Sequence, residues 1–121
     1  MQIDVRKHQE VQVIHLHGDL KIGEPVDSFR QTVEELFGNG DSRIVVTLAD
    51  VPMIDSSGIG ALVRSQTSAK QQGGAIKLVN PSKLVVQTLK FVGLLNVFEV
   101  HPDDTAAINS FSGNHSQGAA S

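Results

Sequence analysis

The stretch Arg43–Val63, "RIVVTLADVPMIDSSGIGALV", decides how this chain folds. It opens on a β-branched run, Arg43 to Leu48, preceded by Asp41 and Ser42 and short enough for a buried, parallel-type strand. It ends on Ile59, Leu62 and Val63, continued by Gln66, which recur at the spacing of one helix face. Between the two halves stand Asp55, Ser56, Ser57, Gly58 and Gly60, small and polar residues at a strand-to-helix junction. Asp55 or Ser56 can cap the helix by accepting hydrogen bonds from the free N–H groups of its first turn. Gly58 and Gly60 let another backbone come close. Capping alone accounts for such a junction, so its function has to be read from a wider frame.

Toward the N-terminus, Gln2 to Arg6 and Val11 to His17 read as strands joined at the polar "KHQE", a hairpin. In the second strand Ile14 and Leu16 alternate with His15 and His17, which gives one apolar and one polar face. Gly18-Asp19 breaks the pattern and "LKIGEP" is a loop. Pro25 suits the first turn of a helix whose face is Val26, Phe29, Val33, Leu36 and Phe37, ending at Gly38 to Gly40. Toward the C-terminus, Gly73-Gly74 stops the central helix, and "AIKLV" (Ala75 to Val79) is a strand. Asn80-Pro81 reads as a cap and first helical residue before Leu84, Val85, Thr88, Leu89 and Val92. "VFEV" is a short strand, and Pro102 to Phe111 a short helix with Asp103 and Asp104 in its first turn, where the helix dipole favours carboxylates. The order ββαβαβαβα predicts an α/β fold: a single mixed, mostly parallel sheet with an N-terminal hairpin, right-handed crossovers and four helices. Residues 1–111 form one domain, and the tail 112–121, "SGNHSQGAAS", has too little to bury and is expected to be disordered.

Composition narrows the function. A net charge of −3 offers no excess of cations for a phosphate backbone, and five Phe with no Trp or Tyr supply few stacking surfaces, so nucleic acid is not an expected partner. The absence of Cys removes thiol nucleophiles, thiolate metal sites and disulfides, in keeping with a cytoplasmic protein. No apolar run reaches the length of a membrane span, and "MQIDVRKHQE" lacks a signal-peptide core.

"VPMIDSSGIGALV", preceded by "RIVVTLADV" and followed by "GGAIKLVNPSKLVVQTLKFVGLLNVFEV", resembles the STAS family of anti-sigma factor antagonists, over Val11 to Phe111. The resemblance implies a regulatory binding module with no cofactor and no enzymatic activity of its own. Its partner would be an anti-sigma factor that is itself a serine kinase; binding releases a sigma factor. Phosphorylation of the first Ser after the Asp, here Ser56, would weaken that binding until a serine phosphatase reverses it. The expected partner-binding residues are Asp19, Lys21, Asp55, Ser56, Ser57, Gly58, Ile59 and Gly60, and the expected state is a monomer or weak dimer. Lys21 departs from the family pattern, which often has an acidic residue there.

Other readings are open. The same fold serves a non-switching STAS scaffold in a stressosome-like particle or beside a membrane transporter. A nucleotide cradle would need the Lys and length of a P-loop, and a serine hydrolase the G-x-S-x-G elbow with a base and an acid; "DSSGIG" has neither pattern. Lys83, Gln87 and Lys90 on the third helix form a second candidate contact patch. His15 and His17 point the same way and are spaced as two metal ligands, but no third ligand is legible, so the expectation is a polar sheet face and no metal.

Overall fold

A computed structural model describes residues 1–120, with side chains as far as Ser112. Beyond Ser112 the tail expected over 112–121 lies outside the residues whose side chains are described. The elements are β1 (Gln2–His8), β2 (Val11–His17), α1 (Glu24–Gly38), β3 (Arg43–Asp50), α2 (Ser56–Gln71), β4 (Ala75–Val79), α3 (Lys83–Phe91), β5 (Glu99–His101) and α4 (Asp104–Ala120), with a 3₁₀ turn at Leu95–Val97 before β5. Among the described residues no helix is long and apolar enough to cross a membrane.

The sheet has the order β1-β2-β3-β4-β5. β1 pairs antiparallel with β2, and every later pairing is parallel. Because consecutive strands are neighbours and parallel crossovers share one hand, all connecting helices fall on the same face. Phe29 and Val33 from α1, Ile59 and Leu62 from α2, and Val85 and Leu89 from α3 pack there on Ile14, Leu16, Ile44, Val46, Ile76 and Leu78. α4 covers the other face, where Ala107 and Ile108 meet Val11, Val13, Val45 and Val79. β3 is thus buried on both sides from Ile44 to Leu48, which explains its mostly apolar, β-branched run. The β1–β2 end of the α4 face carries His15 and His17, which are partly exposed.

Several local expectations shift. The hairpin turn is narrower than "KHQE": β1 continues to His8, and Gln9 takes a left-handed φ of 59°. Asn80 does not cap α3. Its φ is 49° and its N–H donates to the His101 carbonyl at 2.9 Å, while Ser82, in extended geometry, caps the helix by accepting from Val85 N–H at 3.2 Å. The helix accordingly begins at Lys83.

The two loops that follow β2 and β3 run side by side. Gly18 N–H donates to the Asp50 carbonyl at 2.9 Å, Leu20 N–H to Met53 at 3.0 Å, and Asp55 N–H to Leu20 at 3.3 Å, so parallel pairing outlasts the strands. The close approach works because residue 58 has no side chain. A methyl there would lie 2.3 Å from the Leu20 carbonyl oxygen and 2.8 Å from Ile54 Cγ1. Gly60 differs from the expectation: what a methyl would meet is the Arg64 guanidinium at 3.2 Å, a flexible end and not a backbone.

Gly58→Ala therefore has to push the Leu20 loop away and is expected to cost about 1–3 kcal/mol. Gly60→Ala lets Arg64 swing aside and gains the helix preference of Ala, up to about 1 kcal/mol. Urea unfolding of the two variants against the wild type checks the opposite signs.

Candidate functional site

The site grows out of the Asp55 cap. Asp55 has extended backbone, φ −100° and ψ −177°, and its carbonyl already accepts the Ile59 N–H at 2.9 Å. One side-chain oxygen, Oδ1, accepts the Gly58 N–H at 2.9 Å, the capping bond expected at a helix start. The other, Oδ2, reaches across to the β2–α1 loop and accepts the Ile22 N–H, also at 2.9 Å. These donors hold the Asp55 carboxyl below its ordinary pKa, the Ile22 N–H contributing most and the Gly58 N–H next, against a smaller opposing effect of burial.

The cap sets the position of every neighbour. Ser56 is the first residue of α2 and is exposed; Ser57 is half-buried. Asp19 is half-buried in the adjoining loop, and Lys21 is exposed, with its carbonyl accepting the Val26 N–H at 3.2 Å. Six of the eight sequence-predicted residues, Asp19, Lys21, Asp55, Ser56, Ser57 and Gly60, thus share one partly open surface. Gly58 and Ile59 are buried, Gly58 under Leu20 and Ile59 in the core, so they shape the turn from beneath. Lys83, Gln87 and Lys90 are exposed on α3, and no hydrogen bond among the described residues ties them to the Ser56 turn.

Two features were missed in the sequence. Ile22 is 72 % exposed beside the cap, an apolar side chain held outward by its own N–H bond to Asp55. An Ile set between Lys21 and Gly23 in the loop "LKIGEP" was the available signal. The second lies on the other face of the sheet, where Asp50 joins His15 and His17.

The STAS domain family model matches residues 2–107. The chain belongs to the STAS domain family. It is similar to the anti-sigma-B factor antagonist of Bacillus subtilis (strain 168), 26 % identical over 101 residues that take in 83 % of this chain and 90 % of the relative. Among solved structures it resembles the anti-sigma factor antagonist SpoIIAA in its unphosphorylated form, with a TM-score of 0.80 and 24 % identity over 93 % of this chain and 97 % of that one. The Bacillus cell fate determinant SpoIIAA in its phosphorylated form superposes with a TM-score of 0.73 at 22 % identity, covering 91 % of this chain and 99 % of that one. Four helices on a five-stranded mixed sheet with an N-terminal hairpin are the STAS fold.

Asp55→Ala removes the acceptor of two N–H groups in this STAS domain and is expected to lower stability by about 1–2 kcal/mol at neutral pH. Because the folded-state pKa is depressed, the carboxylate's contribution is complete above about pH 4, the unfolded value, and is lost as pH falls through the lower folded one. Chemical unfolding across a pH series should show wild type and variant converging below about pH 4.

Proposed function

We propose that this STAS domain is an anti-sigma factor antagonist that docks a serine-kinase anti-sigma factor on the paired β2–α1 and β3–α2 loops. Phosphorylation of Ser56 releases the kinase, and a serine phosphatase resets the cycle. The observation that carries this reading is the exposed Ser56 at the head of α2, beside a capping carboxylate that already occupies the Gly58 donor. Two relatives support it: the Bacillus subtilis protein is an anti-sigma-B factor antagonist, and SpoIIAA occurs in a phosphorylated form.

A phosphate on Ser56 brings about −1.5 to −2 charges at pH 7. At a free helix start the dipole would favour that anion by about 0.3–1 kcal/mol. Here the Asp55 carboxylate stands in that position, bonded to Gly58 and Ile22, so the phosphate meets a negative neighbour and fewer vacant donors. It stays turned toward solvent, where a docked partner would have to strip its water. A tenfold loss of affinity needs only about 1.4 kcal/mol, so release requires no refolding. Ile22, apolar and outward, suits the buried centre of the contact, with Lys21 and Asp19 at its rim.

The test is incubation with a kinase-type anti-sigma factor and ATP, followed by mapping of phosphate by mass spectrometry. Stoichiometric modification at Ser56 is expected, and modification elsewhere or none would overturn the switch. In binding titrations Ser56→Ala holds the kinase constitutively and Ser56→Asp binds at least about tenfold more weakly, about 1.4 kcal/mol. Ile22→Ala is expected to cost more than about 1 kcal/mol of binding while the melting temperature stays unchanged.

A further inference from the structure

On the opposite face of the sheet from α2, four side chains from three neighbouring strands converge at one point. β1 contributes Asp4, β2 contributes His15 and His17, and β3 contributes Asp50. The two imidazoles stack, with ring centroids 4.3 Å apart and planes within 8°. His15 Nε2 lies 2.8 Å from Asp50 Oδ2, and His17 Nδ1 lies 3.5 Å from the same oxygen. His17 Nε2, on the far side of its ring, lies 3.1 Å from Asp4 Oδ2.

We propose that His15, His17 and Asp50 form a binding site for a divalent first-row transition metal of the zinc class. Ligand atoms from the three side chains all lie within 4.8 Å of one another. A tetrahedral zinc with ligands at about 2.0–2.2 Å holds them about 3.3–3.6 Å apart, so binding opens the His15–Asp50 pair from 2.8 Å, draws the wider-spaced ligand atoms inward and tilts the stacked rings until both lone pairs point to one centre. Two imidazoles and a carboxylate suit zinc, cobalt or nickel and disfavour calcium or magnesium, which take oxygen ligands.

Two further observations mark this as more than a meeting of polar groups. The first is register. His15 pairs with Thr47, and continued pairing would set Ala49 beside His17; an irregularity between His15 and His17 sets Asp50 there instead. Such irregularities re-aim side chains next to functional sites. The second is Asp4. With Nδ1 of His17 turned to the metal, its Nε2–H donates to the Asp4 carboxylate, the outer partner that ligating histidines almost always have, fixing both tautomer and ring orientation. A hollow lined by Asp4, Arg6, His15, His17 and Asp104 adjoins the cluster and leaves room for water as the fourth ligand.

The site sits at the ends of β2 and β3, one residue before Gly18 and Val51, where the loops bearing Asp19 and Asp55 begin. A bound cation would brace the two strands from which the Ser56 surface is built.

The test uses the full chain without an affinity tag, titrated near neutral pH with Zn²⁺ by calorimetry and with Co²⁺ by visible absorption. One equivalent per chain is expected, with the intense d–d bands of low-coordinate cobalt and a raised melting temperature in Zn²⁺. The His15→Gln/His17→Gln double variant, folded by circular dichroism, should lose that equivalent and the temperature shift. Asp4→Asn should weaken binding by about 10- to 100-fold while keeping the stoichiometry. No heat and no cobalt bands, or equal titration by wild type and double variant through His8, His101 and His115, would overturn the assignment.

Discussion

The Asp55 carboxylate divides its two oxygens between donors from different loops, the Gly58 N–H of its own helix and the Ile22 N–H across the gap. Each bond satisfies a backbone group that neither strand nor helix can reach, and together they fix the β2–α1 loop against the start of α2. The Leu20–Ile54 bridge and the Leu20–Gly58 contact complete the clamp, and they require a residue without a side chain at position 58. Ser56 and Ile22 owe their outward positions to this clamp. Its rigidity places the candidate contact surface on backbone held by hydrogen bonds, although both segments are loops by composition.

The fold was legible because its signals are local. The alternation of Ile14 and Leu16 with His15 and His17 predicts a strand with two unlike faces, and "DSSGIG" before an apolar helix predicts a capped start; both stand in the structure. What the sequence left ambiguous depends on partners far along the chain. Gly58 and Gly60 look equivalent in sequence, yet two residues along a helix turn the side-chain direction by about 200°, so that only Gly58 faces the Leu20 carbonyl. Asn80-Pro81 carries a capping composition, but the Asn80 N–H is engaged by β5, and Ser82 takes the extended backbone that a cap needs. Asp50 beside His17 arises from how two strands align with one irregularity, which no local pattern encodes.

The two sheet faces divide the molecule's tasks. One face holds the larger core, with the three crossover helices and the Ser56 turn at its edge. The other is covered by α4 over Val11, Val13, Val45 and Val79, and its uncovered end holds the histidine and aspartate cluster. Lys77 shows how polar groups are accommodated between such layers. It is only 3 % exposed, yet its ammonium donates to Ser110 Oγ at 2.7 Å, lies 3.3 Å from Glu99 Oε1 and stacks 4.0 Å over the Phe111 ring. The charge is thus paired and its aliphatic stem fills space beneath α4.

Strand order has a consequence for synthesis. Since each strand lies next to the one made before it, every βα unit leaving the ribosome meets a docking edge that already exists, beginning with the β1–β2 hairpin. Loop closures stay short and nascent edges are covered promptly, which limits the time during which sticky intermediates can associate. Only the face formed by Val11, Val13, Val45 and Val79 stays bare to the end, because α4, which covers it, is the last element made.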